Sequence, residues 1–521
     1  MRTFYSLLLW ALTMGIAVGQ SDLFLVPQPK SIQKKSGVLV LKRDLALSCP
    51  AELRKDGRLL EELFALEKEQ RGAGKTRVLF SLRSELLEEG YRLVVTEKNI
   101  SIEAGSPAGI FYGLQTLLQT LHRNEKNQWC FPVVSIEDEP AFAYRGMHLD
   151  VSRHFFSVGF IKKYIDALAL HKMNRFHWHL TDDQGWRIEI KAYPELTSIG
   201  AYRGGSQIGP YSDHRFDTLR YGGFYSQKEI AEVVAYAAER YVTIVPEIEM
   251  PGHALAALAA YPQWSCTGNS FSVGQGWGVF EDVFCAGNDS TFLFLETVLS
   301  EVMALFPSEY IHIGGDECPK KRWHDCLRCQ NRMKTEGLAD EHALQSYFIQ
   351  RIETFLLQNG RKLIGWDEIL EGGLAPQATV MSWRGEAGGI AAAQSGHFAI
   401  MTPGSPLYFD HYQSKNPTEP HAIGGFNPVE KIYLYSPVPS ELSPQESVFI
   451  QGAQGNVWTE YMTTEQHVEY MVHPRMAALS EVLWTGPRKE SDLPDFKRRV
   501  GVHAQRLEQK GYVVAPHFLS K

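Results

Sequence analysis

The chain has 521 residues, of which 44% are hydrophobic and 21% charged, and its 52 Lys and Arg against 60 Asp and Glu give a formal net charge of −8. Those proportions fit a globular protein large enough for an extensive core. The acidic balance, with no basic run, argues against a nucleic-acid or anionic-membrane partner.

Residues 1–19 have the pattern of a secretory signal. Arg2 supplies the positive charge, Phe4 to Val18 is mostly apolar, and Ala17-Val18-Gly19 offers small residues for cleavage near Gly19. The apolar run is short for a membrane span, and no later stretch approaches spanning length. The expectation is an exported protein, periplasmic or extracellular, without membrane insertion. Oligomeric state is left open.

Residues 20–141 predict a small α+β domain. Short strand patterns fall at Val38 to Leu41, Val78 to Leu82, Tyr91 to Thr96 and Asn99 to Glu103, and Gly109 to Leu121 has apolar residues at helical spacing. Pro132 and Pro140 bracket the crossover to the next unit. No catalytic cluster appears in this stretch.

Residues 142–521 predict a TIM (β/α)8 barrel with long loops and a C-terminal helical tail, making the fold class α/β. Strand-like runs are expected at Arg145 to Val151, Phe176 to Leu180, Val242 to Ile248, Tyr310 to Ile313, Lys362 to Trp366, Thr379 to Trp383, Phe398 to Met401 and Val448 to Gln451. Amphipathic helices alternate with them. One is capped by Ser157, and others span Gln227 to Arg240, Ser290 to Phe306, Glu341 to Asn359 and Thr464 to Leu483. A doubly wound open sheet is the alternative, but no Gly-rich phosphate loop follows the first strand.

In a barrel the chemistry collects at the C-terminal strand ends. Each expected end carries polar or aromatic groups: Asp150 and Arg153; His177, His179, Asp182 and Asp183; Glu247, Glu249 and His253; His312, Asp316 and Glu317; Trp366 and Asp367; Trp383 and Arg384; Tyr408 and Asp410; Trp458 and Glu460. The most informative stretch is YIHIGGDECPK, Tyr310 to Lys320. An apolar strand breaks at Gly314-Gly315, and two carboxylates follow at once. Glycine permits the turn and a close ligand. Adjacent acids repel, so one tends to hold its proton near neutral pH, beside a fixed negative charge. That combination suits glycoside cleavage.

Metal is the first rival, because His177 and His179 alternate near carboxylates. Both share one strand face, and they serve equally well as buried histidines bonded to neighbouring acids. Of the seven cysteines, Cys266 and Cys285 flank a Gly-rich loop and form a candidate pair, while Cys318, Cys326 and Cys329 crowd the loop after the carboxylates. The C-x-x-C suggests zinc, but the second half of a four-ligand site is missing, so a disulfide-braced loop is the expectation, with no cofactor and no metal.

The motifs HIGGDE, LDVSRHF, HWHLTDDQGWR, PEIEMPGH, GWDE, SWRG and NVWTEY, in order from about Arg145 to Trp484, resemble those of family 20 glycoside hydrolases, the β-N-acetylhexosaminidases. The family is an exception to the usual two-carboxylate scheme. The resemblance implies that the substrate's own 2-acetamido oxygen attacks the anomeric carbon, giving an oxazoline intermediate and retention. It implies Glu317 as general acid and base, Asp316 as the group that orients the acetamide, and Tyr408 as a hydrogen-bond partner of the acetamide oxygen. Asp182 and His253 match a supporting pair. Trp366, Trp383 and Trp458 would wall the sugar pocket, and Arg153, Glu460 and Asp410 would bind ring hydroxyls. The implied partner is a glycan ending in β-linked GlcNAc or GalNAc, cut from the non-reducing end. A sugar-binding protein without catalysis and a metal-dependent hydrolase are the competing classes.

Overall fold

The computed structural model describes residues 23–65 and 72–518. The expected signal at residues 1–19 lies outside the described residues.

The first domain is built on seven strands: β1 (Ser31–Val40), β2 (Lys42–Ser48), β3 (Gly72–Leu82), β4 (Tyr91–Val95), β5 (Asn99–Ala104), β6 (His122–Arg123) and β7 (Trp129–Asp138). Their order is β1-β7-β4-β5-β3-β2, with β6 paired to β7. Strands β4 and β5 alternate buried and half-buried residues, as a pleat with one core face must. Helix α1 covers Arg54–Ala65, and α2 (Pro107–Gln119) lies against β4 and β5. The α2 entry follows from local chemistry: the Ser106 side chain accepts from the Ala108 amide, and Pro107 occupies the first turn. Here the sequence-based expectation is corrected. Pro132 does not mark a crossover but lies within β7, opposite Val38, where the β1 register shifts; a proline is tolerated at such an irregularity.

The second domain is a closed parallel barrel. Its strands are β8 (Tyr144–Asp150), β9 (Arg175–His179), β10 (Thr243–Glu247), β11 (Tyr310–His312), β12 (Lys362–Trp366), β13 (Thr379–Ser382), β14 (Ala399–Met401) and β15 (Ile450–Gly455). Seven match the expected runs within about two residues. The last is displaced: Val448 is exposed and precedes the strand, which runs instead through the glycine-rich QGAQG. The helix expected over Thr464 to Leu483 is two helices, Glu465–Val472 and Arg475–Thr485. Pro474 between them has no amide hydrogen to continue the first helix. Among the described residues, no helix is long and apolar enough to cross a membrane.

Register along the barrel brings Asp150, His179, Glu247 and His312 level with one another. Below them, Tyr144, Val245, Tyr310, Ile364, Met381 and Ile400 fill the interior with apolar volume. The alternate residues face the helices; Trp178, for example, is fully buried against Phe176 and Tyr225.

The two domains meet through buried charge. Glu89 accepts from Arg145 at 2.7 and 3.0 Å and from Asn174 at 3.1 Å. Lys172 donates to Asp138 and to the Tyr91 hydroxyl, both at 2.9 Å, and stands 4.3 Å from the Trp484 ring centroid. The Lys172 and Asp138 side chains have no exposed surface. Removing one partner therefore strands the other charge. Asp138→Ala is expected to cost about 3–5 kcal/mol of unfolding free energy, read as a lowered denaturation midpoint, with a much smaller loss for an exposed control such as Glu137→Ala.

Candidate active site

Strand β11 ends at His312, and the chain then turns through Gly314 at φ +69° and Gly315 at φ +91°. A Cβ on Gly314 would lie 1.6 Å from a Glu249 carboxylate oxygen, and one on Gly315 2.8 Å from Ile369 Cγ2. Only glycine satisfies both the backbone and the space. The turn is pinned from outside: the Trp366 amide donates to the Gly314 carbonyl at 2.8 Å, and Gln345 Nε2 to the Gly315 carbonyl at 2.7 Å. Asp316 and Glu317 follow. Glu317 sits at φ +45° and His253, on the loop after β10, at φ +47°. Two side-chain-bearing residues in left-handed backbone at one site mark strain held by surrounding structure.

His253 connects four carboxylates. Its Nδ1 lies 2.9 Å from Asp183 Oδ2 and 3.2 Å from Asp182 Oδ1, and its Nε2 lies 3.5 Å from Glu317 Oε2 and 3.6 Å from Asp316 Oδ2. Burial disfavours the imidazolium, but Asp182, Asp183 and Glu317 raise its pKa well above the histidine range. The pair it faces splits. Burial, reinforced by the nearby Glu247 and Glu317 charges, lifts Asp316 to about 7 despite the opposing pull of His253. The hydrogen bond to His253 lowers Glu317, whose side chain is 41% exposed. Of the pair, Glu317 is therefore the stronger acid, and Asp316 is the group that holds its proton toward neutral pH. Asp316 Oδ1 is buried and has no protein partner, an acceptor open to a ligand.

Arg153 organises the next wall. It stands 2.9 Å from Asp182, 3.3 Å from Asp150 and 4.0 Å from Glu460, donates through Nε to Gln184 Oε1 at 2.9 Å, and lies 5.1 Å from the Trp458 ring centroid. Asp410, also buried, has an unpartnered Oδ1, and burial followed by the Glu460 charge pushes its pKa well up. Tyr408 stacks on Trp383 with centroids 6.2 Å apart and lies 6.4 Å from Trp458. Burial and then the charges of Asp410 and Asp316 keep its hydroxyl protonated as a donor. Trp383 is fixed by its indole N–H to Glu368 at 2.9 Å.

Under this wall lies a buried layer. Glu247 is 3.0 Å from His177 Nε2 and 2.8 Å from His312 Nδ1, bonds His179 Nδ1, and accepts from the Trp366 indole at 2.8 Å. Burial lowers His177 to about 4, whereas Glu247 and Asp182 outweigh burial at His179 and raise it to about 10. His177 Nδ1 is 3.0 Å from Gln454, and His179 Nε2 is 2.9 Å from Asp182. His177 and His179 are both buried and both lie within reach of the Glu247 carboxylate.

The sequence-selected residues Asp182, His253, Asp316 and Glu317 thus form one connected cluster, with Arg153, Glu460, Tyr408, Asp410, Trp383 and Trp458 along its sides. Trp366 differs: it is 1% exposed and serves as the floor, 5.8 Å from the Trp458 centroid. Three participants were not selected. Asp183 shares His253 with Asp182, and nothing in the dipeptide distinguishes them. Glu249, two residues beyond Glu247 and so on its face, has both carboxylate oxygens buried without partners, and burial and then Asp316 push its pKa well up. Glu368 is raised to about 8 by burial and then by Asp316. The motifs PEIEMPGH and GWDE contained both signals.

An eight-stranded parallel barrel with paired acids after its fourth strand, behind a small α+β domain, defines a glycosidase-like class. The chain belongs to glycosyl hydrolase family 20: residues 142–487 match its catalytic domain and residues 22–139 its domain 2. It is 52% identical over 433 residues to a beta-hexosaminidase of Porphyromonas gingivalis, covering 82% of this chain and 54% of that protein; it therefore spans about half the length of that relative. Among solved structures, an exo beta-N-acetylglucosaminidase of Vibrio harveyi in complex with N-acetylglucosamine aligns at TM-score 0.82 and 33% identity, over 94% of this chain and 78% of that one. A beta-N-acetylhexosaminidase of Bacteroides fragilis aligns at TM-score 0.81 and 35% identity, over 94% and 97%.

Gly314→Ala tests the dependence of the pair on the turn. The clash with Glu249 and the left-handed backbone are expected to cost on the order of 3 kcal/mol, measured by urea unfolding. An unchanged midpoint would show that the strand end has room the geometry denies.

Proposed function

We propose that the protein is an exo-acting, retaining β-N-acetylhexosaminidase that releases terminal β-linked GlcNAc or GalNAc by substrate-assisted catalysis. The observation that carries this reading is the Asp316–Glu317 pair at the end of β11, with both carboxylates 3.5–3.6 Å from His253 Nε2. No second carboxylate is required as nucleophile. The acetamide oxygen attacks the anomeric carbon as Glu317 protonates the departing glycosidic oxygen, and an oxazolinium ion forms. Asp316 accepts the acetamide N–H and balances the charge on its nitrogen, while Tyr408 donates to the acetamide oxygen. Water then attacks the same carbon, with Glu317 taking its proton, so the β configuration is kept. Groups held in place this way lower the barrier without reorganising during the reaction.

Substrate binding moves the proton to where it is needed. The acetamide N–H favours ionised Asp316. The sugar displaces water from Glu317 and favours its protonated form. Arg153, Glu460 and Asp410 are assigned to ring hydroxyls; the fixed guanidinium fork suits a vicinal diol. Trp383 and Trp458 are assigned to stacking on the sugar, over the Trp366 floor. The residue 1–19 pattern supports export to the periplasm or cell exterior as part of this proposal.

Glu317→Gln is expected to keep the fold and lose about 10²–10⁴-fold in kcat/KM on a GlcNAc β-glycoside with a poor leaving group, with a smaller loss on an activated aryl glycoside. Asp316→Asn is expected to lose on the order of 10²-fold or more on both. Full-rate turnover by either variant, or rapid hydrolysis of the corresponding plain glucoside, would refute the mechanism.

The pH profile gives a separate check. kcat/KM reports the free protein, whose pair holds its single proton between the lowered Glu317 and the raised Asp316 at about 7. As pH rises through about 7 that proton is lost and kcat/KM should fall. As pH drops below the Glu317 value a second proton neutralises both groups and kcat/KM should fall again. A profile flat from neutral to alkaline pH would contradict the assignment.

A further inference from the structure

We propose that Cys266, Cys285, Cys326 and Cys329 form a tetrathiolate zinc site that fastens the loop beside the catalytic residues to the helices that follow Glu317. The C-x-x-C of Cys326 and Cys329 is half of such a site, and the fold supplies the other half from a distant stretch. Cys266 and Cys285 stand at the two ends of the loop after Trp264, drawn together by an antiparallel bridge between Ser265 and Phe284. Cys326 caps the helix Leu327–Glu336, and Cys329 lies in its first turn.

The sulfur positions favour a central ion over disulfides. Sγ separations are 3.8 Å for Cys266–Cys329, 3.7 Å for Cys285–Cys329 and 3.9 Å for Cys285–Cys326, and all four sulfurs lie within 4.8 Å of one another. Four sulfurs placed tetrahedrally about 2.3 Å from zinc are about 3.8 Å apart along every edge. Disulfide sulfurs are about 2.05 Å apart, and each can bond only one partner. Cys285 stands almost equally far from Cys326 and Cys329, which an ion accommodates and a disulfide does not. The candidate Cys266–Cys285 disulfide is accordingly corrected: none of the seven cysteines is in a disulfide. Soft thiolates in tetrahedral array select zinc among common divalent ions.

The surroundings agree. Cys285, Cys326 and Cys329 are buried and Cys266 half-buried. Arg328 Nη2 donates to the carbonyls of Ser265 at 2.9 Å and Cys266 at 3.2 Å, which sets a guanidinium beside what would be a net-negative cluster. A Cβ on Gly287 would lie 2.2 Å from the Arg328 carbonyl carbon, so the two backbones meet closely enough to gather the sulfurs. The same loop reaches the active site: the Phe284 amide donates to Pro251 at 3.0 Å, the Trp323 indole to Phe284 at 2.9 Å, and the Gly274 amide to Asp183 at 2.9 Å. The metal would lock this strap against the His253 loop.

The test needs no activity measurement, so it stands apart from the proposed reaction. Full-length protein purified without chelator is expected to hold about one zinc per chain by elemental mass spectrometry. Cys285→Ser and Cys329→Ser should reduce that at least about fivefold, while Cys49→Ser retains it. Because a misfolded variant would lose metal trivially, the wild-type protein is also exchanged with Co²⁺, whose visible d–d and thiolate-to-metal bands report tetrahedral sulfur coordination. Denaturing, non-reducing mass spectrometry should give the fully reduced mass. A mass short by four hydrogens, iron in place of zinc, or metal-free protein with these thiols freely alkylated would each overturn the proposal.

Discussion

A single imidazolium stands between two pairs of acids, and the site depends on that balance. His253 faces Asp182 and Asp183 through one nitrogen and Asp316 and Glu317 through the other. Four carboxylates so close, and largely out of water, cannot all be ionised without a cation among them. Arg153 supplies a second positive charge on Asp182. Together they permit ionised Asp182 and Glu317 and leave Asp316 as the group whose charge is undecided. The proton on this pair is governed by electrostatic competition rather than by any one residue's intrinsic acidity.

That competition has its own support. Glu247 gathers three histidines and an indole within the barrel, and its neighbour Glu249 presses against the glycine turn. A buried polar layer tied through Glu247 fixes geometry in a way an apolar core of the same volume does not. The left-handed backbone of His253 and Glu317 is tolerable because this layer, the Trp366 amide and Gln345 hold both loops from below. Strain and support lie in adjacent shells of one structure.

The barrel and its functional end were legible in the sequence because buried parallel strands read as short apolar runs, and acids, histidines and tryptophans recur just beyond them. Strand β15 was misplaced because QGAQG has none of that character; its burial comes from the neighbouring strands. The helix over Thr464 to Leu483 was read through Pro474 because the apolar spacing continues in phase on both sides. In the first domain, β1 carries a largely exposed, lysine-bearing half, so only its end near Val38 reads as a strand, and β7 contains Pro132, which breaks the pattern. At the site, residue type singles out Asp316 and Glu317, which the fold brings to His253. That both Asp182 and Asp183 meet His253, and that Glu249 and Glu368 are pushed up in pKa, depends on burial and on charges brought from other strands, which one-dimensional spacing does not encode. The cysteines show the same limit: half of the cluster is a local motif, and the other half exists only once the chain has folded.

The contact between the two domains bears on how such enzymes are rearranged. Arg145 and Lys172 belong to the barrel, yet their counter-charges, Glu89 and Asp138, belong to the preceding sheet. Trp484 of the barrel is buried in that domain's apolar core. A barrel excised at the boundary would carry two orphaned cations and a bare indole on its underside. The barrel is therefore not a portable module that stands without the small domain.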